Sequence, residues 1–595
     1  MGQNSTITTA ASTATEEAAA TTQEPKRTPC RHHSDPGPQP CATCKSERRS
    51  KLKYRWKIIL GLFLPFTLSA LDYTIIASAL PWISSDFGEV HQLNWIVSAF
   101  NLTAAAFIPF WGQMADIFGR HVAIQACIFM VTIGSAICTG APTDAFPLLL
   151  FGRALQGIGC AGMNVVIRAI VADKVSLRED AKNWSIFSIV GGCSYAVGPV
   201  IGGYLTETHW RWCFGINLPV ALVGMAVVFI VLRKELLGPQ PIPQLDETAE
   251  TGRRTTFVHR LKTIDVGGQV LSIFGFGLLI LGFTWAGASY GWASAAVLVP
   301  LITGVLLIAA FVWWEYEMTP GNRLARKFPW QQAMIPWEVI SNRDIGLLFY
   351  ASFATGMAMF SVLYFCTLYF TMVKHLDAGD AGRQLLLFVP GLGVGVWMAI
   401  FFCNSYPRQT WHPIFLGSVI ELIGIGVLAW ALWREHDPTV YAMMALTGVG
   451  IGMRFMPVPL HGMAYFPKRI AAVISLSEIS EPLGGTIGLT VMTTVFNNVA
   501  GIGEGIVWAY IAILPFMVLC VIASGLLGNV YISKDTDDEE DEQANTIYHG
   551  VYLWALLRGK GGSAAEDSDR VTTTRRAAWR DERQVLPQHG FHATE

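Results

Sequence analysis

One aspartate, Asp72, interrupts an apolar run in ALDYTIIASALP (70–81). One arginine does the same in FGRALQGIGCAGM (151–163), where Arg153 is followed three residues later by Gln156. Charges in such surroundings are costly, and they are kept where they line an interior pathway or find a partner. A carboxylate in a low dielectric has its proton affinity raised, and a neighbouring guanidinium lowers it again. A pair that can come apart therefore suits the uptake and release of a proton. Asp72 is about nine residues from the outer end of its expected helix, and Arg153 about seven from the outer end of its own. At a rise of 1.5 Å per residue these are depths of about thirteen and ten ångströms. An Asp72–Arg153 pair, direct or through water, is the expectation; the alternative is that each reaches water separately.

The second half of the chain holds a comparable set. Glu421 lies near the middle of an apolar stretch, Arg454 sits in TGVGIGMRFMP, and Glu478 and Glu481 sit in SEISEP. Arg454 with Glu478 or Glu481 is the expected second buried pair; the alternative is interfacial charge at helix ends. Asp72, Arg153, Gln156, Glu421 and Arg454 are thus the candidates for proton coupling and for a substrate pathway.

The elements that must position these residues are membrane helices. Of 595 residues, 52% are hydrophobic and 14% charged, with 57 glycines, 20 tryptophans and a mean hydropathy of +0.40. Repeated apolar runs of this kind can span lipid as helices. Windows of about 19–25 apolar residues fall near 57–80, 92–115, 122–141, 146–172, 184–205, 212–232, 265–285, 294–314, 345–372, 384–402, 411–432, 440–461, 474–495 and 508–532. The expectation is an all-α polytopic membrane protein with fourteen transmembrane helices.

With the N-terminus in the cytoplasm, the cytoplasmic loops hold seventeen Lys and Arg against four on the other side, so both termini are placed inside. The net charge of −2 gives no basic field to attract nucleic acid. The first 55 residues have no apolar core of a cleavable signal. Cys30, His32, His33, Cys41 and Cys44 could supply zinc ligands, but a disordered tail ending in the polybasic KSERRSKLKYRWK is the favoured reading. No metal, no cofactor and no disulfide framework is expected. No P-loop and no HExxH occurs, nor a nucleophile elbow in a suitable context, so an enzyme is not expected.

Glycine patterns repeat. QGIGCAGM (156–163) returns as TGVGIGMR (447–454), and GPVIGG (198–203) returns as GGTIGL (484–489), 291 and 286 residues later. Parallel six-helix halves separated by two extra spans would do this. Between the second and third spans, WGQMADIFGRH places Gly112, Asp116, Gly119 and Arg120 in a short turn, where Asp116 can pair with Arg120 and form a latch between moving helices; an ordinary tight turn is the plainer reading. SYAVGPVIGGYL carries Ser194, Gly198, Pro199, Gly202 and Gly203, a local kink with small residues for close helix approach.

Taken together, LDYTIIASALP, GQMADIFGRH, GRALQGIG, SYAVGPVIGG and WRWCFGINLP resemble the major facilitator superfamily, most of all its fourteen-span drug:proton antiporter branch, which includes fungal efflux pumps for toxins and secondary metabolites. The motif match covers about 57–232; the second half matches by span number and glycine pattern. Ser194 stands where the exporter motif usually opens on glycine, and His121 stands where the latch usually has a second basic residue. The resemblance implies a disordered tail (1–55), a first six-helix bundle (56–232), a segment with two central helices (233–344, helices about 265–314), a second bundle (345–533) and an acidic, polar cytoplasmic tail (534–595). It implies a monomeric secondary transporter in the lipid bilayer of the plasma or vacuolar membrane, exporting a small organic compound against protons by alternating access. Import of a small organic or iron-chelate solute is the alternative within the fold; a non-transporting receptor or scaffold is the alternative outside it.

Overall fold

The computed structural model describes residues 42–76, 79–88, 93–173, 177–239, 259–287, 289–376, 378–404, 408–467, 469–532 and 546–558. Among them the long elements are all helices: α1 (Ala42–Thr74), α2 (Leu93–Ala106), α3 (Ile108–Phe118), α4 (Arg120–Gly140), α5 (Phe146–Ala172), α6 (Leu177–Thr208), α7 (Trp212–Leu232), α8 (Val266–Trp285), α9 (Ala295–Glu317), α10 (Arg343–Val373), α11 (Asp380–Asn404), α12 (Trp411–Trp433), α13 (Asp437–Tyr465), α14 (Ile470–Asn497) and α15 (Ile502–Leu526).

Among the described residues, eleven helices are long and apolar enough to cross a bilayer, and α2 with α3, bent by 45° at Phe107, would make a twelfth. The other two expected spans coincide with α6 and α14, of 32 and 28 residues. Both are more polar: α6 opens on Leu-Arg-Glu-Asp, and α14 carries Glu478 and Glu481.

The glycine repeat has a structural meaning. A methyl group on Gly159 would sit 2.6 Å from the Cys127 carbonyl of α4; on Gly450 it would sit 2.7 Å from the Glu421 nitrogen of α12. Gly157 faces the Phe100 carbonyl of α2 in the same way, and Gly448 the Phe388 carbonyl of α11. Gly198 presses α6 on Thr74 of α1, and Gly484 presses α14 on Phe353 of α10. The same close approaches therefore occur twice, where only hydrogen fits between backbones. Helix partners repeat too: α4 packs on α5 and α7, and α12 packs on α13 and α15. Between the halves, α14 packs on α3 and α5, while α11 packs on α6. The central helices α8 and α9 pack on each other, and α8 also touches α2 and α14.

Several boundaries differ from expectation. The first helix ends at Thr74 rather than near 80. The chain then turns and forms the short helix Leu80–Asp86, with Pro81 in its first turn, the position proline favours. Residues from Ala42 on are helical rather than part of a disordered tail, since KSERRSKLKYRW is rich in helix formers. Helix α15 stops at Leu526, and the strand Asn529–Tyr531 pairs antiparallel with Thr546–Tyr548, Val530 opposite Ile547. Part of the expected polar tail is thus folded, including the short helix Tyr552–Leu557, where Tyr552 is buried against Trp411. Cys30, His32, His33 and Cys41 lie outside the described residues, as does the acidic run 535–542.

Candidate proton and substrate pathway

Asp72 lies at the end of α1 and is completely buried. Arg153 Nη1 stands 3.3 Å from its Oδ2. Oδ1 accepts from Gln156 Nε2 at 3.1 Å and from Asn217 Nδ2 at 2.6 Å. Arg153 also donates to Gln156 Oε1 at 2.8 Å and to the Ile96 carbonyl at 3.1 Å, and its guanidinium lies 4.3 Å from the Phe100 ring centre. Gln156 donates to Ser135 Oγ at 2.8 Å. Five helices, α1, α2, α4, α5 and α7, thus close on one carboxylate. The expected pair is present and direct. Its depth differs from expectation, because Asp72 is two residues from its helix end and not nine. Ile75, three residues on, belongs to an apolar cluster with Ile83, Phe87, Phe146, Trp210 and Phe214, and the Phe214 ring centre lies 5.9 Å from the Arg153 guanidinium. Asn217 was not among the expected site residues, although an asparagine in FGINLPVALV is a polar anomaly of the same kind as Gln156.

In the second half, Arg454 of α13 forms an ion pair with Glu421 of α12, both 1% exposed. Arg454 Nη1 also contacts Cys520 Sγ at 2.6 Å and Ser418 Oγ at 3.4 Å. The expected partner, Glu478 or Glu481, is therefore corrected. Glu478 instead pairs with Arg168 of α5, Nε to Oε1 at 2.8 Å. Arg168 lies 4.2 Å from the Trp184 ring centre and 5.4 Å from that of Phe455. This pair joins the two halves. Beside it is a small cavity reached by Ser352, Thr355, Arg454, Ser477 and Glu481. Arg168 in VVIRAIVA is as anomalous as Arg153, so its signal was present in the sequence.

The turn after α3 is tied by contacts to the end of α5 and to the loop after α7. Arg120 binds Asp116 at 2.5 Å and Asp173, at the end of α5, at 3.0 Å. Gly119 has φ +92° and ψ 152°, a conformation open mainly to glycine. Its position is crowded: a Cβ would sit 2.9 Å from the Pro239 nitrogen. Arg260 reaches the Ile117 carbonyl at 2.7 Å. Gly112 lies against Ser475 and the Ala471 carbonyl, at the start of α14. In the exporter-like motif, Ser194 bonds back to the Val190 carbonyl at 2.8 Å, and the Gly202 carbonyl accepts from Thr206 at 2.6 Å. Gly198 makes the close approach expected of it. Gly203 does not: it faces open space, so close packing there is corrected. The helix is continuous through Pro199.

Residues 62–286 match the family model described as Major Facilitator Superfamily. The efflux pump FUS6 of Gibberella fujikuroi is 30% identical over 472 residues, 78% of each chain. The MFS-type efflux pump LUC4 of a Fusarium species is 30% identical over 74% of each chain. The chain belongs to the major facilitator superfamily. A third relative, the MFS-type transporter of the acurin A biosynthesis cluster of Aspergillus aculeatus, is 32% identical over 75% of this chain and 76% of its own. Among solved structures, the proton:xylose symporter XylE bound to 6-bromo-6-deoxy-D-glucose superimposes with a TM-score of 0.54 at 13% identity, over 79% of this chain and 95% of that one. At that identity the likeness is one of fold. The protein is a multi-pass membrane transporter of this superfamily.

Proposed function

We propose that the chain exports a small organic compound, of the toxin or secondary-metabolite class, in exchange for protons. The observation that carries this reading is the buried Asp72 cluster: one carboxylate held by one guanidinium and two amides. If alternating access moves α1 against α5, Asp72 loses Arg153 and its amide donors, and a proton replaces them. Return of Arg153 expels the proton. Each charge moved is worth about 2.3 kcal/mol per 100 mV of membrane potential, and a pH difference adds to it. The names of the relatives support export, and the biosynthesis-cluster transporter among them supports a metabolite as cargo.

The proposed topology has fourteen spans, α6 and α14 included, their polar residues lying towards helix ends or against neighbouring helices rather than lipid. Both termini face the cytoplasm, in the plasma or the vacuolar membrane, and the monomer is the working unit. On this topology the Arg168–Glu478 pair and the latch turn lie towards the cytoplasm. Substrate binds between the halves, which rock about it.

Asp72→Asn tests the coupling. Cells or sealed vesicles carrying the variant keep the protein in the membrane but lose efflux driven by an imposed pH gradient. Undiminished gradient-driven efflux overturns the coupling role. Greater accumulation in cells that carry the gene than in cells that lack it overturns the direction.

A further inference from the structure

At the base of the central helix pair, two buried carboxyl groups lie on either side of Gly268 without a cation. Asp265 caps α8: its Oδ1 accepts from the Gly268 N–H at 2.9 Å and from the Trp314 indole N–H at 2.9 Å. Glu315, next to Trp314 in α9, accepts from the Ile335 N–H at 3.3 Å. Both residues are 0% exposed. Their remaining oxygens, Asp265 Oδ2 and Glu315 Oε2, are buried and make no hydrogen bond of ordinary geometry; the Met334 backbone N–H is the donor that lies near both carboxyls. The two groups close over Gly268: a methyl there would meet Asp265 Oδ2 and lie 3.2 Å from Glu315 Oε1.

The neighbouring charges are directed elsewhere. Arg260 holds the Ile117 carbonyl, Arg326 the Asn322 carbonyl, and Lys327 lies over the Phe328 ring. Lys262, Arg323 and Glu338 are exposed, and Glu317 is partly exposed. From α3, Gln113 is the polar group that reaches α8, while Asp116 is bound to Arg120. Among the described residues, then, no cation pairs with Asp265 or Glu315.

Two carboxylates in a dry site cannot both ionise at low cost. One proton kept by the pair removes that repulsion and gives one carboxyl an O–H that can donate. We propose that Asp265 and Glu315 share one proton and form a second proton-binding site of this protein, at the base of the central helices. Burial holds the Asp265 carboxyl above its ordinary range, in the same sense. The pair titrates as a unit.

The site is connected to the latch turn. Ile335, which Glu315 holds, belongs to a strap in which the Gln332 N–H donates to the Thr263 carbonyl at 3.1 Å. The Gln332 carbonyl accepts from Gln113 Nε2 at 2.9 Å, and Gln113 Oε1 accepts from Gln269 at 2.6 Å. Gln113 lies in GQMADIFGRH. Loss of the shared proton leaves two like charges facing one another and loosens the strap that holds Gln113. The central helices thus give the latch a sensitivity to alkaline pH that does not pass through Asp72.

The test uses the full chain purified in detergent and reads its unfolding temperature from pH 5 to pH 9. The folded pair keeps a proton that the unfolded acids release above about pH 4.5. Stability from the pair is therefore full at low pH and falls as pH rises. Glu315→Gln is neutral at all pH values and its amide can donate to Asp265 Oδ2. The expected result is an unfolding temperature that falls with pH more steeply in the wild type than in Glu315→Gln, opening a gap of roughly 2 °C or more, with Asp265→Asn following Glu315→Gln. Equal slopes in all three overturn the proposal. If neither variant folds, the infrared spectrum of the Asp72→Asn, Glu481→Gln double variant decides. A protonated-carboxyl band at neutral pH that fades on alkalinisation supports the site, and absence of such a band overturns it. This readout does not use transport, so the site and the coupling role of Asp72 are judged separately.

Discussion

Glu478→Gln removes the charge that Arg168 uses to join the halves, and its cost follows from the geometry. The two side chains are 9% and 12% exposed and 2.8 Å apart. Removing one partner of a fully buried pair costs about 3–5 kcal/mol. Here Arg168 keeps the Trp184 and Phe455 rings, and the adjoining small cavity has room for a water, so about 2 kcal/mol is a reasonable share. That cost falls on the state in which α5 and α14 touch. When the halves part, both side chains are hydrated and the substitution is nearly neutral. The closed population should drop about thirtyfold relative to the open one, at tenfold per 1.4 kcal/mol. Ser352→Cys, facing the cavity from α10, reports this when the exposed Cys193 and the N-terminal Cys30, Cys41 and Cys44 have been replaced by serine. A membrane-impermeant thiol reagent applied from the cytoplasmic face should label it about thirtyfold faster once Glu478→Gln is added. Arg168→Lys keeps the charge but loses the planar group between two rings, and gives a smaller acceleration. Unchanged labelling in Glu478→Gln refutes the idea that this pair holds the halves together.

Other consequences are as direct. Gly484→Ala drives a methyl into the Phe353 carbonyl; backbone cannot yield as a side chain can, so a loss of about 1–3 kcal/mol is expected, read as lower unfolding temperature. The equivalent change at Gly203, which faces open space, should leave that temperature unchanged. Gly119→Ala imposes a side chain at φ +92° and should cost about 1–3 kcal/mol, measured in the same way. Arg454→Met alone strands the Glu421 carboxylate in the protein interior and should lower stability by about 3 kcal/mol or more. Arg454→Met with Glu421→Leu should recover most of that loss, since apolar replacement of a whole buried pair is commonly neutral or better.

The first half of the site was legible because its physics is strongly constrained. A buried aspartate in an apolar helix has few partners to choose from, and Arg153 rather than Arg168 is the one that pairs with Asp72. The end of α1 was not legible. Apolar character continues past Thr74 through Ile75 and Ile76, so hydropathy extends the span while the backbone already turns. The depth argument for Asp72 thus reached the right partner from a wrong helix end, which it could do because Arg153 is long and α5 brings it close.

The partner of Arg454 shows where sequence reasoning stops. Three glutamates, Glu421, Glu478 and Glu481, compete for it, and a hydropathy window says which helix a residue is in but not which way it faces. The glycine repeat holds the missing information. Gly450 seats α13 on α12 at Glu421, as Gly159 seats α5 on α4. Residues four apart share a helix face, so Arg454 points where Gly450 points, towards α12 and Glu421. The facing of Arg454 therefore follows from a packing contact that the first half duplicates. Glu478 is then left for the other half of the molecule, where Arg168 meets it. A charge in the second bundle is thereby spent on the contact between bundles rather than within one, which is where an alternating-access transporter needs a bond that can break.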